Sequence, residues 1–223
     1  MIWLLAFIAA AETPNPDRPT VAMTSGLVAA DTFELEAGGL WSRDNGVGAP
    51  ILLKYSFGGF EPRIGFDGAN SASGAPGLNV GTKFHLDSGT AGTASAFFGS
   101  AVPVATGETW SGSVQLLAST GVEQIGVLVN VGVAFEAEGP FSVAGVPVAL
   151  VVSLPPFIPS CGVFVESAAV LDQGLGQGVL DGGIACLVTE IVMIDTAFGY
   201  TMDDGSPFAQ LGLAVNFGTL GAK

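Results

Sequence analysis

The segment Gln210-Leu211-Gly212-Leu213-Ala214-Val215-Asn216-Phe217 alternates strictly in side-chain size. Leu211, Leu213, Val215 and Phe217 share one face; Gln210, Gly212, Ala214 and Asn216 share the other. A period of two marks a β-strand, because successive side chains leave opposite faces of the chain. The sizes are inverted relative to a soluble sheet. There the face opposite the core meets water and carries Lys, Glu, Thr and Arg, whereas here it carries Gly and Ala. In a barrel that crosses lipid, the bulky residues face acyl chains and the small or polar ones line the lumen. The pattern recurs along the chain. Val192, Ile194, Phe198 and Tyr200 oppose Asp195, Ala197 and Gly199. Ile125, Val127, Val129, Val131, Val133 and Phe135 oppose Gly126, Asn130, Gly132 and Glu136. Phe33, Leu35 and Trp41 oppose Glu34, Glu36 and Gly38.

Composition excludes the alternatives. With 49% hydrophobic and 12% charged residues, the chain is too apolar to remain disordered. Its six bases, within a net charge of -14, cannot neutralise a row of phosphates, which excludes a nucleic-acid partner. A spanning helix needs about 20 apolar residues, but Gly or Pro interrupts every run, as Gly145 and Pro147 do within 143–154. The remaining structure that satisfies its backbone in lipid is a closed barrel. The expected fold is therefore all-β: a closed antiparallel transmembrane β-barrel of about twelve strands. Its surrounding solvent would be outer-membrane lipid, and its location the bacterial outer membrane.

Four regions follow. Residues 1–11 read as a signal peptide, with an apolar core ending at Ala9-Ala10-Ala11. Residues 12–31, with Pro14, Pro16 and Pro19, read as an extended periplasmic leader. The barrel would occupy 32–217, and 218–223 would be a tail. If the first strand leaves the periplasm, the longer connections at 42–48, 67–77, 104–112, 136–141, 172–178 and 202–207 are outer. The short ones at 58–59, 119–122 and 189–190 are inner, with a longer inner turn at Pro155-Pro156. Aromatic rings gather at membrane interfaces. This places Trp41, Phe66, Phe135, Phe141, Phe198, Tyr200 and Phe208 at the outer rim, and Tyr55, Phe57, Phe60 and Phe217 at the inner. Phe97 and Phe164 would point inward.

Ionisable residues on the inward register concentrate in the first four strands: Glu34, Glu36, Lys54, Glu61, Arg63, Lys83, His85 and Asp87. Placing Arg or Lys on lipid near the midplane costs about 2–4 kcal/mol. Adjacent strands bring such residues about 5 Å apart. Two readings stand: a salt-bridge ladder that fills the lumen, and a polar constriction that selects solutes. The opposite wall carries Gly132, Ala134, Gly183, Ala185, Ala197, Gly199, Gly212 and Ala214, with Leu128, Phe164 and Leu187 adding apolar surface. Barrels of about twelve strands leave a narrow path at most.

His85 is the single histidine, and no nucleophile elbow accompanies it, so the expectation is no enzyme. No ligand cluster calls for a metal or other cofactor. Asp172-Gln173-Gly174 and Asp203-Asp204-Gly205 read either as weak calcium loops or as ordinary acidic turns. A hairpin with its tip near Gly174 would set Cys161 opposite Cys186, bonded or as two thiols.

Asp17-Arg18-Pro19-Thr20 followed by Phe33-Glu34-Leu35-Glu36-Ala37-Gly38 resembles the opening of an outer-membrane transporter family, that of the MetA pathway of phenol degradation. Glu61, Arg63 and Gly65 of Phe60-Glu61-Pro62-Arg63-Ile64-Gly65-Phe66 match its next strand. Gly81-Thr82-Lys83-Phe84, Leu180-Asp181-Gly182-Gly183-Ile184 and the closing strand are similar too. The resemblance implies a channel for passive uptake of small molecules, hydrophobic or aromatic ones among them, inserted by the barrel assembly machinery. Family barrels end on an aromatic residue, whereas here Gly218 to Lys223 follow Phe217. A structural or surface barrel with a plugged lumen, and a soluble adhesion sandwich, are the competing readings.

Overall fold

The structure is a computed structural model. It describes residues 13–17, 22–44, 46–67, 77–89, 92–102, 110–122, 125–137, 141–155, 158–172 and 178–219. The expected signal peptide, most of the expected tail, and the loop tips at 68–76, 103–109, 138–140 and 173–177 lie outside them.

Every regular element described is a strand. In order these are β1 (Thr32–Ser42), β2 (Gly46–Gly48), β3 (Ile51–Tyr55), β4 (Phe60–Asp67), β5 (Gly77–Gly89), β6 (Gly92–Val102), β7 (Trp110–Val122), β8 (Ile125–Ala137), β9 (Phe141–Leu154), β10 (Cys161–Leu171), β11 (Gly178–Thr189), β12 (Val192–Thr201) and β13 (Pro207–Thr219). Apart from β2 and β3, neighbours in sequence pair antiparallel, and β13 pairs with β1, so the sheet closes. The thirteen segments make twelve staves, because β2 and β3 both pair with β1 as one stave interrupted at Ala49-Pro50. Closure leaves no edge strand, as lipid demands.

The faces follow the alternation. Leu211 is 65% exposed and Phe198 66%, while Ala197 and Ala214 are fully buried. The large residues therefore look out, and the small ones look into a filled interior. Around the turn end, where the short links lie, a chain of aromatic contacts runs Phe33–Tyr55–Phe57–Phe60–Phe84–Phe98 across β1 to β6, with centroids 4.5 to 5.8 Å apart. This suits the interfacial belt expected of Tyr55, Phe57 and Phe60.

Inward rings lie on inward glycines. Phe97 lies over Gly81 and Gly99, where a Cβ on Gly81 would come within 2.9 Å of the ring. Phe164 covers Gly183 in the same way, at 2.8 Å. Glycine here removes the side chain that would collide with the ring.

Four expectations change. Phe208 is not a rim aromatic: it shares parity with Gln210, and its ring is buried inside against Gly199. Asp87 is not on the inward row. A register shift between His85 and Asp87 sets Asp87 opposite Ala94, and it is exposed. The wall expected to be small and apolar also carries Glu166 and Asp181, buried on inward positions with the expected Asp195. The leader does not lie clear of the barrel. Its described residues hydrogen-bond to inward side chains of the wall, as set out below, so 15–17 and 22–28 occupy the lumen. The physical reason is that a closed wall lined with glycine, alanine and buried acids leaves space and acceptors that a chain segment must fill.

Cys161 and Cys186 are directly opposed across β10–β11 and form a disulfide, with Cα atoms 4.1 Å apart. The bridge sits on the outward parity, at the open end of that hairpin, where the barrel's short links lie.

Candidate functional site

The wall of β1, β3, β4 and β5 builds an ion cluster. Glu34 and Glu36 lie two residues apart on one face of β1, and Lys54 is the cross-strand partner of Glu34. Lys54 Nζ sits 2.5 Å from Glu34 Oε1 and 2.6 Å from Glu36 Oε1. Arg63 is opposite Lys54 on β4, and Lys83 is opposite Glu61 on β5. Arg63 Nη2 donates to Glu61 Oε1, and Lys83 Nζ lies 3.9 Å from that oxygen. Glu34, Glu36, Glu61 and Lys83 have no solvent exposure, and Lys54 has 1%. The guanidinium carbon of Arg63 lies 5.3 Å from the centroid of Phe97. His85 shares the row, opposite buried Ser95, but is only half-buried and outside the cluster.

The leader completes the cluster. Asp17 Oδ2 accepts from Arg63 Nη1 at 2.5 Å, its Oδ1 lies 3.4 Å from Lys83 Nζ, and Lys54 is 4.0 Å away. Burial opposes ionisation of Asp17, but Arg63, Lys83 and Lys54 outweigh it and hold the carboxyl well below the usual carboxylate range.

Wall glutamates grip the leader's main chain. Asn15 N–H donates to Glu34 at 2.6 Å and Asp17 N–H to Glu36 at 3.1 Å. Ala22 N–H donates to Glu166 at 2.6 Å and Val28 N–H to Glu61 at 2.7 Å. Asn130 both accepts from Met23 N–H and donates to Met23 O, at 2.8 and 3.0 Å. Lys54 donates to Asn15 O at 2.8 Å, and Lys83 to Gly26 O at 3.0 Å. Ser95 donates to Ser25 O at 2.6 Å. Pro14 and Pro16 have no N–H to give, so the donors fall on the residues beside them. The two-residue spacing of Asn15 and Asp17 matches that of Glu34 and Glu36. On the far wall, Ala22 packs with Leu128, Val151, Phe164 and Ala197.

On the loop side of the cluster lies a cavity of about 370 Å³, lined by Arg63, Asn79, Phe97, Ser111, Ser113 and Glu136 among others. Arg63 is thus shared between the plugged level and the open one. Among the described residues no group of three His, Cys, Asp or Glu is placed to hold a metal. In the turn after β12, Asp204 accepts from Thr201 Oγ1 and Ser206 N–H, which is the bonding of an acidic turn.

Asp17, Glu166 and Asn130 were missed as site residues. One signal was present: two carboxylates at i and i+2 on an inward face, and two N–H donors at i and i+2 between prolines.

No protein-family model matches the sequence, and no curated protein matches it either. Solved structures do. The KdgM porin in complex with disordered oligogalacturonate has a TM-score of 0.69 at 11% identity, covering 83% of this chain and 99% of that one. The COG4313 outer membrane channel from Pseudomonas putida F1 has a TM-score of 0.60 at 10% identity, covering 85% and 97%. The NanC porin has a TM-score of 0.58 at 11% identity, covering 81% and 98%. At such identities the likeness is one of fold. The chain is a closed antiparallel β-barrel of twelve staves, and the structures whose fold it shares are outer-membrane porins and channels.

Proposed function

We propose that this barrel is a passive channel for uptake of small molecules, with its own leader as the narrowest part of the path. The observation that carries this is the cavity of about 370 Å³, which descends from the loop end to Arg63 and stops at a segment held by hydrogen bonds and ion pairs. Its lining pairs the charged Arg63 and Glu136 with the apolar Leu52, Phe97 and Phe135. That pairing suits small amphipathic solutes, and the resemblance to the phenol-degradation family extends the range to hydrophobic and aromatic ones. In this reading Glu34, Glu36, Lys54, Glu61, Arg63, Lys83 and His85 line the constriction. Export by a signal peptide at 1–11 and insertion by the barrel assembly machinery belong to the same proposal. The test is single-channel recording and vesicle swelling with reconstituted protein. Current, with selectivity altered by neutral residues at Lys54, Arg63 and Lys83, is the expected result. No current and no swelling would overturn the channel reading. The full burial of the cluster would then favour the second reading, a sealed barrel with a structural or surface role.

A further inference from the structure

The ion cluster divides into two parts of unequal charge. Lys54 faces both Glu34 and Glu36 at 2.5 and 2.6 Å. Arg63 and Lys83 share one wall carboxylate, Glu61. The second carboxylate they face is Asp17, which belongs to the leader and not to the wall. Without it, this part of the wall keeps two cations against one anion. With it, the two oxygens of Asp17 take different near cations: Oδ2 meets the guanidinium at 2.5 Å, with Lys54 farther off at 4.0 Å, and Oδ1 meets the Lys83 ammonium at 3.4 Å. Oδ1 also accepts from Thr24 N–H and Thr24 Oγ1, both at 2.9 Å. A guanidinium and an ammonium converging on one planar acid is the chemistry of a carboxylate receptor. Arg63 itself is 8% exposed and lines the cavity above, so a solute descending from the loop end reaches this cation at the floor.

Much of the rest of the grip runs through the main chain, with side-chain contacts at Thr24 and Ser25 and packing at Ala22 beside it. Asn15, Ala22, Met23, Gly26 and Val28 are held through main-chain groups. Among the described residues of the leader, the ion pairs to the wall are made by Asp17.

We infer that Arg63 and Lys83 form a carboxylate-binding site in the lumen, occupied in cis by Asp17, and that the ligand it takes in Asp17's place is a small organic carboxylate. This names a solute class for the channel proposed above and rests on that reading for the ligand's route. Its test is binding, which needs no flux. Tethering gives Asp17 an effective concentration on the order of millimolar or more, so a free carboxylate competes poorly until Asp17 is removed.

The experiment is chemical rescue. Asp17→Ala, in detergent at pH 7, is melted in rising acetate or formate, with chloride at equal ionic strength as control. The expected result is a lowered melting temperature that acetate and formate restore with saturation and chloride does not. Wild type should not respond, and adding Lys83→Met to the variant should abolish the rescue. Equal recovery in chloride, or none in either salt, would overturn the site. Asp17→Asn, which keeps the side-chain volume, is read the same way. Wild-type protein gives an independent measurement: amide exchange of Asp17 and Thr24 should quicken in concentrated acetate and not in chloride. Exchange that is identical in the two salts would count against the site whether or not the variants fold. Rescue without current would leave the site standing and the channel refuted; current without rescue would do the reverse.

Discussion

Lys54→Met is the perturbation from which the energetics of the lumen can be worked most directly. Methionine keeps the length of the stem and removes the charge. Lys54 Nζ lies 2.5 Å from Glu34 and 2.6 Å from Glu36, and it also donates to Asn15 O at 2.8 Å. Both glutamates are fully buried on one face of β1. Breaking a buried ion pair from one side costs about 3–5 kcal/mol, because the other charge stays behind without water. Here one cation serves two acids, so the expected loss is at the upper end, about 5 kcal/mol. In a Glu34→Gln, Glu36→Gln background the stranded charges are gone. There Lys54 is itself the stranded cation, so the same Lys54→Met change should be neutral or stabilising. Urea unfolding in lipid vesicles reads both values. Trp41 and Trp110, each about half exposed on the outer face, report the loss of the lipid contact by fluorescence. A loss below about 1 kcal/mol in the native background, or equal losses in the two backgrounds, would refute the electrostatic account.

Three further outcomes follow from other parts of the molecule. Leu211→Arg puts a charge on the outward face near the middle of β13 and should lower folding stability by about 2–4 kcal/mol, measured by reversible folding into vesicles. Replacing Cys161 and Cys186 together by alanine releases a 25-residue separation and should cost about 2–4 kcal/mol, with reductant then having no further effect on the urea midpoint. Acidification should weaken the plug through Asp17, whose folded-state carboxyl titrates well below its ordinary value. A depressed value stabilises the folded state fully above the unfolded pKa of about 3.9, and the contribution fades as pH falls through the folded value. Wild type minus Asp17→Asn melting temperatures should therefore be flat from neutral pH down to about 5 and shrink below about 4.

The barrel was legible because its signal is local and repeated. Leu211, Leu213 and Val215 oppose Gly212 and Ala214 in a period that needs no knowledge of partners, and lipid reverses the sense of the pattern. The wall cluster was legible for a related reason: Glu34, Glu36, Lys54, Glu61, Arg63 and Lys83 share one parity, and parity is set within each strand. The leader was not legible. Whether Asn15 and Asp17 lie beside β1 or outside it depends on acceptors such as Glu166, which is 144 positions from its donor Ala22. No periodicity encodes such a meeting. His85 and Asp87 mark the limit of parity, since a register shift between them moved Asp87 off the row. Phe208 failed differently. Its parity with Gln210 already placed it inside, but membership of an aromatic class outweighed that count.

The way the wall holds the leader leaves part of the leader's spelling free. Glutamates and an asparagine clasp peptide bonds, which every residue but proline supplies in the same form. Substitutions can accumulate along this stretch while its path through the pore persists. New imino acids at Asn15, Ala22, Met23 or Val28, the loss of the acid at Asp17, or larger side chains at the buried Ala22 and Ser25 would disturb it. Two barrels with unrelated leaders could thus be stoppered by the same handful of wall residues.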